Sequence, residues 1–175
     1  MKKIKFPIIY KSVDIVQSKK NKIKTKVNKK KLLLKENIKK NFVVIKVEYS
    51  NLNYKDFLMS QGHPGLIKKF PHTAGIDAAG SICYSNSKKF KIKDKVFVIA
   101  KPLGVETNGS FSQYITIPDK WVDKLPKKLT SKEIMMIGTS GFTAIKALNK
   151  TLGKISRHKK IPVLVTGALS NVGMF

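Results

Sequence analysis

The sequence predicts a mainly β N-terminal unit, a small barrel or sandwich, followed by the opening of an α/β unit. Three observations carry that prediction. Between residues 42 and 125, short β-branched runs alternate with turns bearing Gly, Pro and Asn, at the spacing of an all-β fold. From Thr130 the apolar residues switch to helical spacing. At 162–166 a continuous apolar run, of the kind found in strands buried on both faces, feeds a glycine-bearing turn. The boundary falls after residue 129, giving a β unit over 1–129 and the start of an α/β unit over 130–175.

In chain order, Phe42–Tyr49 reads as a β-branched strand that turns amphipathic toward its end. Ser50 to Tyr54 form a loop into a short helix over Lys55–Ser60, which Gly62, Pro64 and Gly65 end. Phe70-Pro71-His72-Thr73-Ala74-Gly75 leads into a strand over Ile76–Tyr84, and further strands are predicted at Val96–Ala100, Phe111–Ile117 and Trp121–Leu125. Thr130 or Ser131 caps a helix with Glu133 in its first turn. Gly138–Gly141 breaks it, and helical spacing resumes through Phe142, Ile145, Leu148 and Leu152. Pro162-Val163-Leu164-Val165-Thr166 is the predicted buried strand.

The chain of 175 residues has 36 Lys+Arg against 10 Asp+Glu, a formal net charge of +26, yet 42% of it is apolar, which excludes wholesale disorder. No apolar run reaches the ~20 residues of a membrane-spanning helix, and Pro7 and Lys11 interrupt the only stretch that follows the basic start. The single cysteine, Cys83, excludes a disulfide framework and reads as a small buried hydrophobe, so a cytoplasmic location is expected. Of the basic residues only Arg157 is arginine, and lysine lacks the planar fork that reads bases. A solvated lysine-rich surface is therefore the leading reading, with a nucleic-acid-binding β-barrel module as the alternative. The run from Lys19 to Lys40 also carries Ile23, Val27, Leu32, Leu33, Leu34 and Ile38, so it is not a bare polybasic tail.

A buried strand feeding a Gly-rich turn is how a dinucleotide-binding unit begins, because glycines let backbone approach the pyrophosphate at the next helix N-terminus. Aligned on Gly-x-Gly-x-x-Gly, this sequence offers Ala168, Ser170 and Gly173, of which only the last is a glycine. At the close-approach position the Cβ of Ser170 crowds a phosphate. His63, His72 and His158 lack metal-ligand spacing and read as surface or loop histidines.

Taken in order, Ser50-Asn51-Leu52-Asn53-Tyr54-Lys55-Asp56, Phe70-Pro71 with Gly75-Ile76-Asp77-x-x-Gly80, Gly104-Val105-x-x-x-Gly109, Ile137-Gly138-Thr139-x-Gly141-Phe142-Thr143-Ala144 and Val165-Thr166-Gly167-Ala168 resemble the medium-chain dehydrogenase/reductase superfamily. They look most like its zinc-free quinone-oxidoreductase branch and the acrylyl-CoA reductase group within it. The resemblance implies a GroES-like barrel as substrate domain followed by a Rossmann domain, here incomplete. Zinc-dependent relatives place a cysteine, a histidine and a second cysteine where this chain has Asn53, Ile76 and Thr139. The resemblance thus implies no catalytic metal, since isoleucine cannot ligate.

The implied activity is reduction of an activated C=C bond by NADPH, in an acyl-CoA thioester or a quinone. By position, Asn53 and Tyr54 border the nicotinamide end of the cofactor, and Thr143 and Thr139 touch the ring face. The turn Ala168-Leu169-Ser170-Asn171-Val172-Gly173 lies under the pyrophosphate. Tyr54 is one candidate proton donor and bulk water the other. A family homodimer is implied, with its dimer surface outside this chain. The residue that reads the ribose 2′ position lies ~20 residues beyond the turn in such folds, so the 175-residue chain is expected to be an incomplete or inactive fragment.

Overall fold

The computed structural model describes residues 7–32, 41–152 and 162–175. In chain order its elements are β1 (Ile8–Gln17), β2 (Ile23–Leu32), β3 (Phe42–Tyr49), α1 (Tyr54–Ser60), β4 (His72–Thr73), β5 (Ala78–Ser85), β6 (Lys95–Val98), β7 (Tyr114–Pro118), β8 (Asp123–Lys124) and α2 (Ser131–Leu152). They form a three-stranded sheet, β2-β1-β4, and a five-stranded sheet, β7-β3-β5-β6-β8, and every described pairing is antiparallel.

A strap at 111–113 joins the two sheets. On one side, the Val13 N–H donates to Phe111 O at 2.8 Å and the Gln113 N–H donates to Lys11 O at 3.0 Å. On the other, the Val47 N–H donates to Gln113 O at 2.9 Å. Because β1 and β3 both bond this strap, the sheets curl toward one another and close most of the edge that an open sheet would expose.

The β3–β5 pairing fills the barrel centre, where Val43, Ile45, Ile82, Val96, Val98 and Ile117 are buried together. Each such side chain contributes about 1.5–3 kcal/mol by leaving water. A second cluster, Ile15, Met59, Ile67, Ala74 and Ile76, seats α1 on the barrel. A third, Ala79, Ile99, Ile134 and Met135, seats the first turns of α2 against β5 and the residues after β6. Cys83 is buried as expected, its thiol donating weakly to Val44 O at 3.4 Å, and burial pushes its pKa up to about 11.

The predicted strand at Phe42–Tyr49 matches β3 residue for residue. The stretch Trp121–Leu125 instead opens with a 3-10 turn over Asp119–Trp121, leaving only Asp123–Lys124 to pair as β8. Pro162–Thr166 forms no strand. Val163, Leu164 and Val165 are 57%, 89% and 53% exposed. A strand makes none of its hydrogen bonds within itself, and no described strand lies beside this one to receive them.

His72 is likewise not at the surface. It lies buried in β4, with Nε2 at 2.6 Å from Gly104 O. His63 is exposed in a loop, where its Nδ1 accepts from the Gly65 N–H at 3.2 Å. His158, Leu33, Leu34 and Ile38 lie outside the described residues. Among the described residues no helix is long and apolar enough to cross a membrane.

Candidate functional site

The loop before α1 is held from below by two buried carboxylates. Asn53, in extended backbone conformation, is the N-cap of α1. Its N–H donates to Asp56 Oδ2 at 2.9 Å, and Asp56 Oδ1 accepts the Gly75 N–H at 2.9 Å. The Asp56 side chain thus ties the helix start to the turn that leads into β5. Burial pushes the Asp56 carboxyl above its ordinary value and the nearby charge of Asp77 adds to that, against the pull of the Asn53 and Gly75 N–H groups.

Asp77 is fully buried and receives donors from two other segments. Its Oδ2 accepts from Asn53 Nδ2 at 3.0 Å and from the Thr139 N–H at 2.8 Å, while its Oδ1 accepts the Thr139 hydroxyl at 2.5 Å. The Ser110 hydroxyl donates to the Asp77 carbonyl at 2.5 Å. The Thr139 amide is available because α2 breaks at Gly138, whose φ of 54° and ψ of −163° interrupt the helix. Only glycine fits there, since a Cβ would run into Nδ2 of Asn51 and crowd Asp77 Oδ2. The break expected over Gly138–Gly141 is confined to Gly138, and 139–152 continue as helix.

Beyond the break, Ser140 faces a cavity of about 510 Å³. One wall is Leu52, Asn53, Tyr54 and Phe57; the other is Ser170, Asn171 and Val172 of the Gly-bearing turn. None of the lining residues carries a charge. Tyr54 is 71% exposed and stacks on Phe57, with ring centroids 6.0 Å apart. In the turn, the Ser170 hydroxyl accepts the Gly173 N–H at 3.0 Å and its carbonyl accepts the Met174 N–H at 3.0 Å, the bonds of a capped first helical turn. Gly173 packs on the backbone of Gly167 and Ala168, closely enough that a Cβ would collide with Gly167 O.

The structure therefore brings Asn53, Tyr54, Ser170, Asn171 and Val172 to one cavity and sets Thr139 directly beneath Asn53, both bonded to Asp77. Thr143 is exposed and its hydroxyl donates to Thr139 O at 2.7 Å, a back-bond within the helix. Leu169 is 93% exposed, and neither it nor Ala168 lines the cavity. Asp56, Phe57 and Ser140 were not singled out as site residues. The first had a legible signal, a carboxylate three residues after a capping Asn. Phe57 and Ser140 had none, because only packing turns them toward the turn at 170–172. Of the positions compared with zinc ligands, Asn53 and Thr139 bond to Asp77, whereas Ile76 packs with Ile15, Met59, Ile67 and Ala74. Among the described residues no three His, Cys, Asp or Glu side chains converge as a metal site requires.

Comparison with known proteins agrees with this architecture. Residues 39–127 match the alcohol dehydrogenase GroES-like domain family. YhfP of Bacillus subtilis, which is named among the quinone oxidoreductases, is 38% identical over 143 residues, covering 82% of this chain and 43% of YhfP. Acrylyl-CoA reductase AcuI of Ruegeria pomeroyi is 39% identical over 133 residues, covering 75% of this chain and 40% of AcuI. The crystal structure of YhfP with NAD bound superposes with a TM-score of 0.83 at 33% identity, covering 95% of this chain and 50% of that one. The YhdH oxidoreductase of Salmonella enterica in complex with NADP gives 0.69 at 30% identity, covering 80% of this chain and 43% of that one. The chain thus spans less than half the length of the curated relatives it matches. With its GroES-like β-barrel, the break at Gly138 and the partial Rossmann-like region that follows, the chain belongs to the alcohol dehydrogenase GroES-like family of the medium-chain dehydrogenase/reductase superfamily.

Proposed function

We propose that this chain carries the nicotinamide-facing half of a zinc-independent, NADPH-dependent oxidoreductase that reduces an activated C=C bond, acting in the cytoplasm. The 1–129 barrel is the substrate-side domain and 130–175 the approach to the nucleotide. The observation that carries the reading is that the loop before α1 and the turn at 170–172 line one cavity. Two segments more than a hundred residues apart meet there, one bearing a stacking aromatic ring and the other a capped turn.

The residues present fit the nicotinamide end of such a cofactor. The cavity is uncharged and largely apolar, which suits a flat neutral ring. Leu52, Tyr54 and Phe57 would lie against that ring, and the backbone of Ser170, Asn171 and Val172 would meet the phosphates. When bound, the reduced nicotinamide supplies a hydride.

The chain's own residues supply position and polarity. Asp77 holds Asn53 and Thr139 in fixed orientations, because every polar hydrogen they aim at it is already engaged. Leu52 and Phe57, both partly exposed, present apolar surface on the cavity wall. The Tyr54 hydroxyl, on an exposed ring, can hand a proton to the carbon next to the activating carbonyl, and water reaches the same face. Where zinc-dependent relatives hold an electrophilic metal, Asn53, Ile76 and Thr139 offer one amide, a hydrocarbon and one hydroxyl already bonded to Asp77.

Titrating the chain with reduced nicotinamide mononucleotide, followed by amide chemical shifts, tests the reading. Shifts centred on residues 52–57 and 170–172 are expected. A titration that leaves those residues unmoved would overturn it.

A further inference from the structure

We propose that Lys55 and Lys101 hold the negative charge of the enolate that hydride addition to an activated C=C bond creates. The inference rests on the oxidoreductase reading and adds to it the residues that stabilise charge developing on the substrate.

A second cavity, of about 420 Å³, lies against the break in α2. Lys55, Lys101 and Thr139 line it together with the apolar Ile76, Pro102 and Val105. It borders the same two segments as the cavity of the 170–172 turn. Tyr54 lines that cavity and Lys55 this one; Ser140 lines that cavity and Thr139 this one. Neighbouring residues thus divide between an uncharged cavity and a cationic one, and no carboxylate lines either.

Three side chains on this lining carry hydrogen-bond donors: Thr139, Lys55 and Lys101. The Thr139 hydroxyl is already spent, since it donates to Asp77 Oδ1 at 2.5 Å and accepts the Ala100 N–H at 3.2 Å. The two ammonium groups are not. Neither makes a salt bridge or a side-chain hydrogen bond among the described residues.

Both lysines stand where local backbone preference does not call for them. Lys55 is in the first turn of α1, where a cation opposes the helix dipole. Lys101 follows Ala100, whose φ of 55° lies in the left-handed region that residues with a side chain seldom adopt. The bond from the Ala100 N–H to Thr139 fixes that strained residue on the α2 break and so places the backbone from which Lys101 projects. Ile76 and Thr139 stand at two of the positions compared with zinc ligands. The ammonium groups therefore bring positive charge to the side of the site where those relatives carry a metal.

When hydride reaches the β-carbon with its electron pair, the π pair of the C=C bond shifts toward the carbonyl, whose oxygen becomes anionic. The alkene is reduced and the nicotinamide oxidised. A proton delivered to the α-carbon, from Tyr54 or water, completes the saturated product. An ammonium beside the oxygen gains more attraction as this charge develops than it had to the neutral substrate, so it lowers the barrier rather than only binding.

Crotonate and crotonamide separate charge from shape, because they are nearly isosteric and only crotonate already carries an anionic oxygen. In amide-shift titrations of the full chain, crotonate is expected to move residues 55, 76, 100–105 and 139 and to bind at least about fivefold more tightly than crotonamide. The double variant Lys55→Gln/Lys101→Gln is expected to bring that ratio to about one, and Lys55→Arg to keep it within about twofold of the parent value. Equal binding of the two probes to the parent chain, an unaltered ratio in the double variant, or crotonate shifts spread over the lysine-rich surface would each overturn the proposal. Reduced nicotinamide mononucleotide, titrated separately, keeps the two readings apart. If it binds while crotonate is not preferred, the enolate site falls and the oxidoreductase reading stands. If crotonate is preferred while the nucleotide moves nothing, the oxidoreductase reading falls, the enolate assignment falls with it, and an anion site remains.

Discussion

The carboxylate of Asp77 receives both the backbone N–H of Thr139, at 2.8 Å, and its hydroxyl, at 2.5 Å. This pair joins the start of β5 to the point where α2 breaks, and Asn53 completes the junction from the loop that bears Tyr54. Three segments distant in sequence are thus tied to one buried side chain.

Replacing Asp77 by Ala leaves the amide and hydroxyl of Thr139 and the side-chain amide of Asn53 without acceptors in a buried place. A loss of about 2–4 kcal/mol is expected in urea unfolding. Asp77→Asn keeps an acceptor oxygen and is expected to cost about half as much. Similar losses for the two variants would show that the hydrogen bonds are not what matters.

Gly138→Ala is expected to cost about 2 kcal/mol or more, since the added Cβ meets Asn51 and Asp77 at a φ of 54°. Gly65→Ala, at a glycine without a positive φ and with only the flexible His63 ring close by, is expected to change stability by less than about 0.5 kcal/mol. Thermal melts of the two variants compare these costs directly.

Asp14 predicts an acid-sensitive component of stability. Burial alone would raise its pKa, but Lys30 at 2.8 Å, Thr73 at 2.6 Å, Asn28 at 2.9 Å and Ser12 at 3.0 Å bring it down to about 2. Its folded-state pKa lies below the unfolded value, so the stabilisation is present above the ordinary carboxylate range and lost as pH falls from about 4 toward 2. The shift corresponds to roughly 2 kcal/mol. Asp14→Asn should therefore destabilise the chain at pH 7, and its difference from the parent should shrink steadily below pH 4. A difference that is constant with pH would exclude this origin.

Cys83 should resist a thiol reagent in the native chain at pH 8, because its thiol is buried and held protonated, with a pKa of about 11. In urea it should react at the rate of a free cysteine. Rapid native labelling would place the β3–β5 pairing among the readily opening parts of the barrel.

The strand at 42–49 was readable because its apolar residues face a core on a period that backbone geometry imposes. The capping Asn53 and the helix break near Gly138 were readable because they answer local backbone needs. The strand at 162–166 was misread for the same reason in reverse, since its apolar run announces burial that no neighbouring described strand provides. His72 was misassigned because nothing adjacent in the chain reveals that Gly104 O lies above it.

The linear order of residues determined the family and most of the element types, and it marked the segments bearing Asn53, Tyr54 and Thr139. Each of these depends on interactions spanning a few positions, or on motifs whose spacing is itself the signal. Tertiary structure alone decided that Asp77 would bind Asn53 and Thr139, and that Phe57 and Ser140 would face the 170–172 turn. Those pairings span tens of residues, and only the closure of the barrel and the burial of its core bring their backbones within reach.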